Sequence, residues 1–261
     1  MKKYISCVVA ILLMIVMATV AFAEGKSSLS DFSNRLKKDA QTPMADAAAT
    51  GEDDGISYGP AVKSDDPFFQ KVQSAAYLRE DKYSKEMNVF IELKNISGRT
   101  LYPGTSTITA YKADGEVLEE KKYASVGPEM VRDGDSLYIW EWFYGPDYAL
   151  TDVAYFKATV ETETNSYRKY EYIDAQALVD QGTAYALIEN VTENDIYGVC
   201  AVVAAQNEEG RLLDVCEVST GNAIGIFPGS VMILRGNVEN HETDEALSEG
   251  VAIVHALHQI E

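Results

Sequence analysis

The chain of 261 residues is short of the residues most chemistry uses: three cysteines, three histidines and two tryptophans. Cys7 lies near the start, leaving Cys200 and Cys216, and no C-x-x-C pair occurs, which removes the usual thiol-redox and zinc-ribbon signatures. No histidine precedes His241, so the first half has none to activate a nucleophile, and no G-x-S-x-G elbow is present. Base is also scarce. Lys and Arg number 22 against 41 Asp and Glu, a net charge of -19. That excess of acid argues against nucleic acid and anionic membranes as partners, since both need basic patches. With 41 acids, no particular carboxylate pair stands out as catalytic. No D-x-D-x-D-G loop is present, and Asp133-Gly134-Asp135 is too short to specify calcium. Beyond the first 23 residues no apolar run reaches the roughly 18 that a membrane span needs.

The first 23 residues, MKKYISCVVAILLMIVMATVAFA, have a basic start, an apolar run and the small-x-small site Ala21-Phe22-Ala23. They read as a secretory signal peptide cleaved after Ala23, with an uncleaved anchor as the alternative. Loss of Lys2 and Lys3 takes the charge from -19 to -21. The mature chain is then secreted or extracytoplasmic. Residues 24–66 hold few large apolar side chains and read as a flexible tether, with a short helix over 28–40.

What the chain has is a repeat. Asn95 to Gly115 reads NISGRTLYPGTSTITAYKADG, and Asn190 to Gly210 reads NVTENDIYGVCAVVAAQNEEG, 95 residues later. Identical pairs are Asn95/Asn190, Tyr102/Tyr197, Ala110/Ala205 and Gly115/Gly210, and five further pairs are close swaps. Each copy sits among short β-patterned runs broken by turn signals, with no helical period between them. The reading is all-β: two tandem antiparallel sandwiches, 67–161 and 175–261, joined by a polar linker over 162–174. Each copy is expected to form its own core.

Lys94-Asn95-Ile96-Ser97 with Asp114-Gly115, and Asn190-Val191-Thr192 with Glu209-Gly210 and Pro228-Gly229, resemble the FxLYD-type domains of bacterial extracytoplasmic proteins. The signature itself falls on residues 108–112 and 203–207, where Tyr111 agrees. The resemblance implies immunoglobulin-like sandwiches in a binding or interaction role, without catalytic residues or cofactor.

Four groups of residues deserve positions. Asn95 and Asn190 fit glycosylation sequons, but the signal is of bacterial type. Asparagine also bonds backbone two residues on, so with Gly115 and Gly210 they read as structural turn residues. Cys200 and Cys216 flank the second hairpin and, in an exported chain, read as a cross-strand disulfide, with two buried free thiols as the alternative; the first copy has Thr105 and Lys121 there. His255 and His258 lie three apart on a strand and so face opposite ways, which argues against a metal site. Finally, Tyr138, Trp140, Trp142 and Tyr144 share one strand face, opposite Leu137, Ile139 and Phe143. The second copy has Met232, Leu234 and Val238 in place of the latter, so the aromatic row belongs outside the first sandwich. It is a candidate binding surface for a protein or glycan, or a face covered by the linker, the N-terminal segment or the second domain. A non-catalytic interaction protein is expected, with a carbohydrate-binding module and an unrecognised hydrolase as the alternatives.

Overall fold

Alternation of apolar and polar residues dictates strands almost throughout. The computed structural model describes residues 55–80, 85–144, 150–163, 169–221, 224–243, 247 and 249–260. The expected signal peptide, the helix over 28–40 and the tether as far as 54 lie outside them. Among the described residues the protein is all-β apart from one 3₁₀ turn at Leu150–Asp152.

The first copy contains β1 (Ile56–Tyr58), β2 (Ala61–Ser64), β3 (Phe69–Glu80), β4 (Lys85–Asn95), β5 (Tyr102–Tyr111), β6 (Val117–Lys122), β7 (Ser125–Gly127), β8 (Ser136–Tyr144) and β9 (Tyr155–Glu163). They make two sheets, ordered β1-β3-β4-β8-β7 and β2-β9-β5-β6. The second copy contains β10 (Lys169–Ile173), β11 (Ala175–Asp180), β12 (Thr183–Glu189), β13 (Tyr197–Gln206), β14 (Leu212–Ser219), β15 (Val231–Asn237) and β16 (Glu249–Ile260). These form one seven-stranded sheet, β14-β13-β16-β11-β12-β15 with β10 also on β16. It folds on itself where β11 meets β16 only at Val179↔Gly250 and Asp180↔Glu249.

Two boundaries differ from the sequence reading. The first sandwich begins at Ile56, inside the stretch read as tether, because β1 and β2 add in parallel to β3 and β9. Strands of three and four residues carry too little pattern to be seen in sequence. The stretch read as linker is also largely strand: β9 runs to Glu163, and β10 pairs along β16 from Lys169↔Ile260 to Ile173↔Ala256.

The two copies do not keep separate cores. Val89, Ile91, Leu93, Leu137, Ile139 and Phe143 pack against Ile108, Phe156 and Val160 inside the first sandwich. Ala75, Tyr77, Phe90, Tyr138 and Trp140, on the other face of the same sheet, belong to one apolar cluster with Val202, Ala204 and Leu212 of the second copy. The central strands β4 and β13 are therefore buried on both faces through most of their length. Close approach depends on small residues. A Cβ on Gly127 would stand 2.7 Å from Val202 Cγ2, across the interface.

Candidate functional site

The interface between the sandwiches is where the polar chemistry gathers. Gln73 on β3 uses both ends of its amide: Nε2 donates to Gly210 O (3.1 Å) and Oε1 accepts from Leu212 N (3.1 Å). The same Nε2 donates to Glu92 Oε2 (2.9 Å), while Ser136 Oγ donates to Glu92 Oε1 (2.7 Å). Tyr77 Oη donates to Leu212 O (2.7 Å). Its phenol is pushed above the ordinary range, first by burial and then by Glu242. Asn88 Nδ2 lies 2.9 Å from His241 Nδ1, and the His241 ring lies against Phe90 and Tyr77. Sequence reading missed Gln73, Asn88 and Glu92. The available signal was their polarity beside the apolar runs of β3 and β4, but both strands carry other polar residues, and polarity alone names no partner.

The aromatic row points into this interface. Tyr138 is fully buried and Trp140 is 6% exposed; Trp142 is half-buried and Tyr144 is 58% exposed. The face assignment holds for the first sandwich, since Leu137, Ile139 and Phe143 point into its core. The row as a whole is not an open surface. The second sandwich covers its first half, and the Tyr138 ring sits 5.9 Å from that of His255. A four-ring glycan platform is therefore closed.

Cys200 and Cys216 are free. The register explains why. The hairpin turns at Asn207–Gly210, with Gly210 N donating to Asn207 O and Asn207 N to Arg211 O, and a bulge follows. Cys200 then pairs with Ser219 and Cys216 with Val203, three residues out of step. An odd shift puts the side chains on opposite faces. Cys216 Sγ lies 3.0 Å from where a Cβ of Gly236 would stand, inside the second sandwich. Burial pushes both thiols up to about 12, with Glu129 and Glu217 adding at Cys200 and Asp214 at Cys216. The intact mass should be unchanged by reductant. At pH 8 native alkylation should be slower than that of an ordinary thiol by a factor on the order of 10³, since only thiolate reacts, and complete in denaturant. A native mass two hydrogens short of the reduced chain would refute this.

Asn95 and Asn190 build the same turn twice. Asn95 Oδ1 accepts from Ser97 N, and its Nδ2 donates to Arg99 O and Val131 O. Asn190 Oδ1 accepts from Thr192 N, and its Nδ2 donates to Asn194 O and Ile226 O. Both side chains are fully buried, leaving no room for a glycan on the folded chain. Gly115 and Gly210 close the two hairpins at φ 87° and 81°. That region favours glycine.

His255 and His258, both on β16, point apart. His255 pairs with Val202 on the interface side, and His258 pairs with Glu171 of β10. Burial holds the His255 imidazole below its ordinary value; Asp135 and Glu92 oppose this and Arg132 adds to it. The unfolded chain therefore takes up this proton before the folded one. The His255 contribution is full above an unfolded pKa near 6.5 and shrinks as pH falls through that value toward the lower folded one. The stability gap between the native chain and His255→Gln should narrow from pH 7.5 to pH 5 in urea titrations. A gap independent of pH would refute the assignment.

Two depressions lie along β10 and the start of β13. One, of about 670 Å³, is lined by Glu171, Asn194, Asp195, Tyr197, His258 and Gln259 among others. A smaller one, of about 140 Å³, includes Glu129, Cys200 and Glu217. Among the described residues no three His, Cys, Asp or Glu side chains converge as a metal set.

No protein-family model and no curated protein matches the chain. Among solved structures, that of red sea bream transglutaminase matches at 11% identity, over 66% of this chain and 27% of its own, with a TM-score of 0.18. At that score the likeness carries no argument about fold or activity.

Proposed function

We propose that the protein is an exported, non-catalytic interaction protein of the cell envelope or extracellular space. Its two sandwiches are immunoglobulin-like, and it takes an extended segment of a protein partner onto the free edge of β15. The observation that carries this reading is a difference between the copies. In the first sandwich the outer edge of β8 is occupied by β7, through Ser125↔Trp140, Val126↔Ile139 and Gly127↔Tyr138. In the second, β15 pairs with β12 on one side, and no strand among the described residues pairs with its other edge. An open edge offers main-chain donors and acceptors to an incoming strand, and proteins usually protect such edges. Here Arg235 is the one charge on the strand, and the strand with the turn leading into it presents apolar groups: Phe227 is 63% exposed, Val231 53% and Ile233 42%.

A photo-crosslinker placed at Ile233 in the producing cell tests the proposal. The expected result is an adduct to one extracytoplasmic protein, from a chain whose mature N-terminus is Glu24. Val231→Lys with Ile233→Lys should abolish that adduct from a crosslinker moved to Phe227, with an unchanged melting temperature. Adducts spread over many proteins, or retained in the double variant, would overturn it.

A further inference from the structure

We propose that the larger depression along β10 and the start of β13 is a binding site for a primary ammonium carried on a short aliphatic chain. It is separate from the β15 edge and does not depend on it. Strand geometry opens the site. β13 and β16 pair at Tyr197↔Gln259 and next at Cys200↔Leu257, so an irregularity at Gly198 and Val199 parts the two strands. The resulting cavity of about 670 Å³ falls within the 300–1,000 Å³ typical of small-molecule sites.

Its lining is one-sided in charge. Glu171 and Asp195 are present, and among the described residues no lysine or arginine lines it. An acidic lining alone would be ordinary on so acidic a chain. The second observation is His258, which lines the same cavity and is 7% exposed. Its Nδ1 has no hydrogen-bond partner, and its Nε2 stands 3.8 Å from Glu171 Oε2, beyond hydrogen-bond reach. Of the buried side-chain atoms without a partner among the described residues, this Nδ1 is the one that belongs to a residue lining this cavity, and it leaves an acceptor for a group from outside the chain. The carboxylates accept hydrogen bonds and attract positive charge, and an imidazole nitrogen that carries no proton also accepts. The complementary ligand donates several hydrogen bonds from one cationic head, which describes an ammonium.

The aromatic wall is fixed in advance. Tyr197 Oη lies 3.4 Å from Asp195 Oδ2, and the ring rests on Gly225, where a Cβ would stand 2.6 Å from Tyr197 Cε1. An apolar stem can lie along this ring while the head meets the acids. A bare metal ion would leave most of such a volume unfilled. The net charge of -19 favours the approach of cations from a distance.

Calorimetry and NMR on the mature chain test this with two probes, cadaverine and Nα-acetyl-lysine methylamide, and with 1,5-pentanediol as the neutral control. At least one amine should bind at a single site and move the His258 imidazole signals, while the diol should not. Cadaverine alone would assign the site to free amines; the lysine derivative, to a lysine side chain of a peptide. Glu171→Gln with Asp195→Asn should weaken binding at least tenfold with an unchanged melting temperature. Gly225→Ala should weaken it too, by displacing Tyr197. Equal binding of the diol, unmoved His258 signals, or full affinity in the double variant would each overturn the proposal.

Discussion

Residues 169–261 produced alone should not give a soluble monomer with a cooperative thermal transition, whereas the mature chain should. The reason is the double burial of β13. Val202 and Ala204, with Leu212 of the following strand, join a cluster that continues into Ala75, Tyr77, Phe90, Tyr138 and Trp140 of the first sandwich. Cutting the chain before β10 leaves that face without its partner and strips Leu212 of both its external hydrogen bonds, from Tyr77 Oη and to Gln73 Oε1. Exposed apolar patches beyond a few hundred Å² are uncommon on soluble monomers and promote association. Gel filtration with a thermal scan decides the matter. A monomeric fragment with a dispersed amide spectrum would show that the two sandwiches merely touch. Gly127→Ala offers a milder check in the intact chain. It presses a methyl onto Val202, and overpacking of this kind typically costs about 1–3 kcal/mol.

The apolar cluster shared by the two copies runs against the expectation of two self-sufficient cores. The 95-residue repeat locates equivalent strands: β13 stands in the second copy where β5 stands in the first. Alternation on β8 separates Leu137, Ile139 and Phe143 from the aromatic row. Both follow from residue order alone. Alternation, however, says only that a face is apolar, not what covers it. Tyr138 and Trp140 would read the same beneath a glycan, a linker or a second sandwich. Hairpin register is hidden for a related reason. One bulge beside Ala205 and Gln206 helps put Cys200 and Cys216 three residues out of step, and a bulge leaves no composition to read. The groove at Glu171 and His258 was further still from view, because β10 lay in a stretch that read as linker.

The largest effect of a single substitution is expected at Trp140. Along one strand face the four aromatics pass from buried to exposed: Tyr138 fully buried, Trp140 6% exposed, Trp142 half-buried and Tyr144 58% exposed. Trp140 Cη2 lies 3.9 Å from the Cβ position of Gly127, which in turn abuts Val202, so the indole fills space between the sandwiches. Truncating a buried aromatic loses its transfer free energy and leaves a cavity, together about 3–5 kcal/mol. Trp140→Ala should fall in that range, Trp142→Ala below it, and Tyr144→Ala within about 0.5 kcal/mol of the parent, as exposed surface changes usually do. Urea unfolding of the mature chain and the three variants measures the series. If the row were instead a contact surface for an outside ligand, the three substitutions would cost similarly little stability and differ only in binding. A cost below about 1 kcal/mol at Trp140, less than most cavity-forming substitutions, would therefore remove the second sandwich from that face and reopen the row as a recognition surface.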